Sequence, residues 1–201
     1  MLRVAGVEPN TEVEGPGLRF ALWLQGCSRH CPGCCNPHMQ DPYCGMAMSP
    51  ADLAHDILTA ECDGLTIVGG EPLEQIAGLK SLFDSLEALK YSGNIMVFTG
   101  FTIDEIRVDP EKIGLVSRAD VVIAGPFLLD QTPDRRKWIG SRNQTVHFFR
   151  NRLDFLRENW PGQSKEIEIH IGDDEFSING FPVGEENEFE QIFAHFEKRR
   201  T

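Results

Sequence analysis

No cysteine follows Cys62: all six lie between Cys27 and Cys62 of a 201-residue chain. A secreted disulfide framework would spread its thiols more evenly, and a chain of this length can bury a real core without staples. No apolar run approaches the length of a membrane span. The opening MLRVAGVEPN lacks the apolar stretch of a secretory signal, so the sequence predicts a cytoplasmic protein. Positive charge is also scarce. Nineteen Lys and Arg stand against 31 Asp and Glu, a formal net charge of −12. That balance argues against a nucleic-acid backbone or an anionic membrane as the main partner. The basic cluster Arg135, Arg136, Lys137 and Arg142 reads as a solvated charged segment. Internal repeats, low-complexity tracts and long linkers are missing too, which leaves one compact domain with a small appendage.

What is present concentrates in the stretch Gly26-Cys27-Ser28-Arg29-His30-Cys31-Pro32-Gly33-Cys34-Cys35-Asn36. Clustered thiols without a disulfide framework point to metal. Cys27, Cys31 and Cys34 stand in a CxxxCxxC spacing directly after Leu18 to Gln25, an apolar run that reads as a strand buried on both faces. Thiolates aimed at one point hold zinc or an iron–sulfur cluster. Structural zinc wants four ligands, often as two CxxC pairs, and a ferredoxin-type cluster wants four cysteines. Three thiolates from one loop would leave an iron open to a substrate or cofactor. On spacing alone, zinc and an open cluster stand side by side. Cys44 and Cys62 read as free thiols, Cys35 as a spare buried cysteine, and His30 and His38 as solvated loop histidines.

The remaining chain alternates. Ser49-Pro50 predicts an N-cap and a proline at the first helical position, with Leu53, Ile57 and Leu58 at helical spacing. Leu65 to Val68 reads as a strand running into Gly69-Gly70-Glu71-Pro72, and Leu73 to Leu89 traces one helix face. Ile95 to Phe98 is a strand ending in Thr99-Gly100. Thr102 and Glu105 form a capping-box pattern, and Asp120 to Ala124 is a strand ending in Gly125-Pro126-Phe127. Strand–helix alternation from Leu18 to Phe127 predicts parallel strands with right-handed crossovers. The cysteine loop and the three glycine-containing ends would then share the rim at the strands' carboxyl ends, where the chemistry of such folds sits. Gln144 to Phe149 reads as a further strand and Asn151 to Trp160 as a helix. Glu166 to Ile171 and Glu175 to Ile178 read as a hairpin, and Glu185 to Arg200 as an amphipathic helix. The division predicted is a core at 1–160 and a hairpin–helix extension packed on it at 161–201.

Four separate segments resemble the radical S-adenosylmethionine superfamily, most closely its small glycyl-radical activases. Glu14-Gly15-Pro16-Gly17-Leu18-Arg19 is similar to the activases' lead-in, Cys27 to Asn36 to their CxxxCPGCxN loop, and Gly69 to Pro72 to the superfamily's methionine-amino-binding motif. Asp120 to Phe127 with Lys137 to Gln144 resembles their Asp-Gly-Pro-Phe and Trp-x-Gly-Ser-x-Asn-Gln segments. The match covers roughly residues 10–150. It implies a partial (β/α) barrel of parallel strands, and a 4Fe–4S cluster held by Cys27, Cys31 and Cys34. It further implies S-adenosylmethionine on the open iron, with its amino group bound by Gly69, Gly70 and Glu71 of a turn that closes on Pro72. Thr99 and Gly100 would contact the rest of the cofactor. Reductive cleavage of the sulfonium would give a 5′-deoxyadenosyl radical that abstracts hydrogen, most directly to install a glycyl radical on an anaerobic ribonucleotide reductase-like partner. A flavodoxin- or ferredoxin-type donor would supply the electron. No protein general base is required. Two departures bear on the substrate: Cys35 stands where the subgroup often has an aromatic, and Ala124 where it often has an acid. They and the C-terminal hairpin motivate a second reading, a stand-alone radical enzyme acting on a peptide or small molecule. A zinc or electron-transfer module is the third.

Overall fold

The structure is a computed structural model and describes residues 1–132, 134–162, 166–171 and 176–180. The predicted helix at 185–200 lies outside the described residues. The strands of the main sheet are β1 (Leu2–Thr11), β2 (Arg19–Leu24), β3 (Met46–Met48), β4 (Gly64–Gly69), β5 (Asn94–Thr99), β6 (Val121–Ala124) and β7 (Thr145–Phe148). They lie in the order β3-β1-β2-β4-β5-β6-β7. β2, β4, β5 and β6 are mutually parallel, while β1, β3 and β7 are antiparallel to their neighbours. The fold is therefore mixed α/β with a mostly parallel central sheet, and the four strands read between Leu18 and Phe127 are parallel as predicted. The strands the sequence reading lacks, β1 and β3, lie at one edge. β1 occupies residues to which the sequence reading assigns no element, because Gly6 and Pro9 interrupt its alternation and only Leu2, Val4 and Thr11 are fully buried along it. A three-residue strand such as β3 is too short to show a period.

One sheet face carries the helices α1 (Pro50–Thr59) and α2 (Ile76–Ala88). Leu22, Leu24, Ile67 and Val97 of the sheet pack there with Leu53, Ile57, Leu79, Leu82 and Phe83. The Ser49 hydroxyl caps α1 by accepting from Asp52 N, with Pro50 at the first position as predicted. Leu58, expected on the buried face, is 41% exposed. The helical reading of Leu73 to Leu89 resolves into a 3₁₀ turn at Pro72–Glu74 followed by α2. Two short helices, α3 (Ile103–Arg107) and α4 (Pro110–Val116), then lead into β6, and α3 opens on the predicted Thr102/Glu105 capping box.

The opposite face is covered at its β5–β7 side by residues 138–160. Trp138, Ile139, Leu153 and Leu156 pack there on Met96, Val121 and Ile123. Only Phe155–Glu158 of this segment is helical, as α5. The longer helix read over 151–160 does not form; Arg152, ahead of α5, donates from its guanidinium to Asp120 Oδ1 at 2.9 Å and to the Ser92 and Gly93 carbonyls. The predicted hairpin is present as β8 (Ile167–Ile171) paired antiparallel with β9 (Phe176–Gly180). Glu168 ties it to β1 by accepting from Thr11 Oγ1 and Glu12 N.

Arg19 explains part of the lead-in pattern. It is wholly buried, and its guanidinium donates to Thr66 Oγ1, Asn94 Oδ1 and the Pro16 and Leu65 carbonyls. Burial lowers its pKa to about 10, so it stays charged at neutral pH. One side chain thus fastens the lead-in to three adjacent parallel strands.

Candidate metal and cofactor site

The carboxyl ends of β2, β4, β5 and β6 open into one cleft that is partly open to solvent. Cys27, Cys31, Cys34 and Cys35 line it, with Gly69, Gly70, Glu71, Thr99 and Gly100. The predicted rim therefore exists. Of the residues singled out for the site, only Pro72 is off the cavity wall; it is buried and opens the 3₁₀ turn.

The cysteine loop is held at its base. Gly26 N donates to Met39 O and Cys27 N to Gln40 O, so the chain returning through the 3₁₀ turn Pro37–Met39 closes the loop. Positive φ at His30 (46°) and Gly33 (74°) lets the chain turn tightly between the thiols. Backbone N–H groups are already aimed at sulfur: those of Arg29 and His30 at Cys27, and Asn36 N at Cys34 Sγ, 3.4 Å away. Such donors favour thiolates and tune cluster potentials. Against them, burial is the largest influence on the Cys27 thiol and pushes it up, as expected for a ligand sulfur without its metal charge. Among the described residues, no three His, Cys, Asp or Glu side chains converge as ligands of a single ion. Three thiols on one cavity wall, with backbone N–H groups aimed at two of the sulfurs, are a donor set that fits an iron–sulfur cluster.

The Gly-Gly-Glu turn serves the cysteine loop first. Gly70 N donates to Leu24 O at 2.7 Å and Glu71 N to Gly26 O at 2.8 Å. A Cβ on Gly70 would lie 2.2 Å from Gly26 O, and Gly69 has φ +100° with no room either. The close approach these glycines permit is made by the backbone that starts the cysteine loop, and both also line the cavity. The Glu71 side chain is likewise engaged. At 1% exposure, its carboxylate accepts from Leu73 N, Thr99 Oγ1 and Gly100 N at 2.7–2.9 Å. Burial raises its pKa and these donors oppose the shift. It braces β4 against β5.

Arg29, between the first two cysteines, was not singled out in the sequence. Its guanidinium stacks 4.0 Å from the Phe101 ring centroid and pairs with Glu105 at 3.2 Å, and its Nε lies 3.8 Å from Glu71 Oε2. It clamps the cysteine loop onto the β5 end. The available signal was a long cation inside a ligand loop, which sequence spacing does not aim.

Cys35 lines the cavity beside Cys34. It sits on a concave wall, open to solvent yet surrounded by protein mass. Desolvation there, with Cys34 adjacent, pushes its thiol up to about 11. Cys44 and Cys62 lie off the cavity and donate to Asp41 and Asn10. The His30 ring pairs with Gln40 Oε1 rather than with sulfur. Ala124 is buried at the end of β6. The basic cluster is less solvated than expected: Arg136 bonds Asp134 and two carbonyls, and Lys137 pairs with Glu166.

A protein family described as a 4Fe-4S single cluster domain matches residues 13–147, more than half of the chain, and the chain belongs to that family. Its similarity to characterised proteins is narrower. It is 28% identical over 150 residues to the anaerobic ribonucleoside-triphosphate reductase-activating protein of Haemophilus influenzae, covering 71% of this chain and 95% of that one. Identity to the protein of that name from Escherichia coli K12 is 29% over 145 residues (69% and 93%). To that of Enterobacteria phage T4 it is 29% over 148 residues (70% and 90%). The resemblance to the activase subgroup, carried by four motifs, is borne out. Among the described residues no helix is long and apolar enough to cross a membrane.

Proposed function

We propose that this chain is a radical S-adenosylmethionine enzyme that installs a glycyl radical on an anaerobic ribonucleoside-triphosphate reductase. The observation that carries the reading is the single cavity shared by the CxxxCxxC thiols, the Gly-Gly-Glu turn and Thr99-Gly100. The activity for which the relatives are named supports the choice of partner. Cys27, Cys31 and Cys34 would hold a 4Fe–4S cluster, leaving one iron without a protein thiolate. When bound, the cluster and S-adenosylmethionine supply a one-electron cleavage of the sulfonium and the hydrogen-atom abstraction that follows.

The chain's residues place and shield. N–H groups of the cysteine loop stabilise thiolates, and carbonyls at Gly69 to Glu71 accept from the methionine amino group. Thr99 and Gly100 border the remainder of the cofactor, and Val68 and Phe98 keep that part of the wall apolar. Glu71 and Arg29 hold the β4 and β5 loops and the cysteine loop in one arrangement. No side chain is asked to move a proton. The parallel strands would form the partial (β/α) barrel of the superfamily, in a core at 1–160 with 161–201 packed on it. A flavodoxin- or ferredoxin-type protein would donate the electron.

The test is anaerobic reconstitution with iron and sulfide, reduction, and addition of S-adenosylmethionine and a reductase bearing a C-terminal glycyl loop. The expected result is 5′-deoxyadenosine formation that depends on the reductase, together with a glycyl radical seen by electron paramagnetic resonance. A colourless, zinc-loaded protein inert to S-adenosylmethionine would overturn the reading. Turnover of a peptide or small molecule, with none on the reductase, would assign the chain to the stand-alone class instead.

A further inference from the structure

Between Gly125 and Gln144 nearly every polar group named by the Trp-x-Gly-Ser-x-Asn-Gln pattern is spent inside the protein. Gln144 Oε1 accepts from Gly140 N and Ser141 N, and its Nε2 donates to Gly125 O. Asn143 Nδ2 donates to Pro126 O, while Ser141 Oγ donates to Asn143 Oδ1 and accepts from Leu128 N. These bonds knit the Gly-Pro-Phe loop to the segment after it. Trp138 is the exception. It is 5% exposed and lines the cavity, yet among the described residues its indole Nε1–H is buried without a hydrogen-bond partner. Its backbone is also held at φ +63°, a left-handed conformation unusual for a bulky residue. Trp160, which meets it edge-on at 5.7 Å, has its own N–H satisfied by Lys137 O. A buried donor without an acceptor and a strained backbone are both costs, and they coincide on the wall of the cavity that the thiols line.

We infer that Trp138 is a cofactor-binding residue whose indole N–H donates to the nucleoside half of the cofactor. The inference rests on the reading that the cavity takes S-adenosylmethionine. Its place in the sheet selects the half. The cysteine loop follows β2, the Gly-Gly-Glu turn follows β4, and Thr99-Gly100 follows β5. Trp138 packs over β6, three inter-strand steps from β2. At ~4.8 Å per step that is about 14 Å, a span that puts the amino-acid end of the cofactor at one side and the nucleoside at the other. The wall at the far side suits a flat heterocycle, because Phe98, Phe127 and Trp138 are aromatic. Purine nitrogens and ribose oxygens are acceptors, which is what an indole N–H needs.

The test is equilibrium dialysis of S-adenosylhomocysteine against the cluster-loaded protein and its Trp138→Phe variant, with iron content and melting temperature recorded for both. Wild type is expected to bind, and the variant, with its iron and melting temperature retained, to bind about tenfold more weakly. Equal affinities with an intact variant overturn the inference and leave the cofactor reading standing. Absence of binding by cluster-loaded wild type overturns both. If the variant loses iron or melts early, the indole ¹⁵N–¹H resonances of wild type decide, assigned with Trp23→Phe and Trp160→Phe. The Trp138 signal is expected to move downfield on binding, and an unmoved signal overturns the inference.

Discussion

The Thr99 hydroxyl donates to Glu71 Oε1 at 2.7 Å and so joins the carboxyl end of β5 to that of β4. Gly100 N reaches the other oxygen of the same carboxylate at 2.8 Å. A residue that sequence logic assigns to the cofactor is in the structure first a brace between two loops that must agree in position for any ligand to be held.

Removing that brace should be felt as stability. Glu71→Ala leaves three buried donors without an acceptor, and about 2–4 kcal/mol is expected to be lost. For a domain of this size that is a fall of roughly 5–15 °C in melting temperature. Glu71→Gln keeps the volume and one acceptor oxygen and should lose less. Thermal melts of the two variants check the order, and equal losses would show that packing rather than hydrogen bonding matters at this position.

Asp120 immediately precedes the fourth parallel strand, at the end of the sheet away from the cavity. It is wholly buried, accepting from Ile95 N at 2.7 Å and Arg152 Nε at 2.9 Å. Arg152→Ala would leave a buried carboxylate short of its charge partner and is expected to cost about 3 kcal/mol. Asp120→Asn should cost less, because the arginine is partly solvated and the amide keeps an acceptor. Urea unfolding of the pair checks the ranking, and cluster content should be unaffected in both folded variants.

Glu14 gives the chain a pH dependence of known sign. Burial raises its pKa from 4.5 to about 7, with Glu168 adding to the rise and the Gly180 N–H opposing it. The folded state therefore prefers the protonated acid. Its favourable contribution is full below pH 4.5 and is lost as pH rises through 7, by up to about 3 kcal/mol. Glu14→Gln should flatten stability between pH 5 and 8 and raise it at the upper end. Denaturation midpoints across that range check it, and an unchanged slope would place the titrating group elsewhere.

The cysteines should divide cleanly. Cys27→Ala, Cys31→Ala and Cys34→Ala are each expected to lose iron and sulfide after anaerobic reconstitution, while Cys44→Ser and Cys62→Ser keep both. Iron analysis and the broad visible absorbance read the result. Retained cluster in Cys31→Ala would sink the ligand assignment.

How much of this was legible in the chain differs from residue to residue. β2, β4, β5 and β6 were readable because a strand buried on both faces is a continuous apolar run, and α1 and the capping box of α3 because caps are local chemistry. The cavity rim was readable because strand–helix alternation forces those loops to one end. β1 escaped because it borrows its regularity from β2 and carries little of its own. The helix read over 151–160 forms only at Phe155–Glu158, and the Arg152 side chain is committed to Asp120, 32 residues away in the chain.

By itself, then, the sequence determined the thiol spacing, the parallel alternation and the end of the sheet on which the loops meet, since each follows from local pattern and chain handedness. Tertiary structure alone decided what each site residue does there. The Gly69-Gly70 pair admits the backbone of the cysteine loop, Glu71 is consumed as a brace, Arg29 becomes a clamp, and Trp138 is left with a donor unspent. The physical reason is that buried hydrogen-bonding groups are assigned by whichever partners the folded chain brings within 3 Å, and that assignment runs between residues that spacing along the chain does not connect.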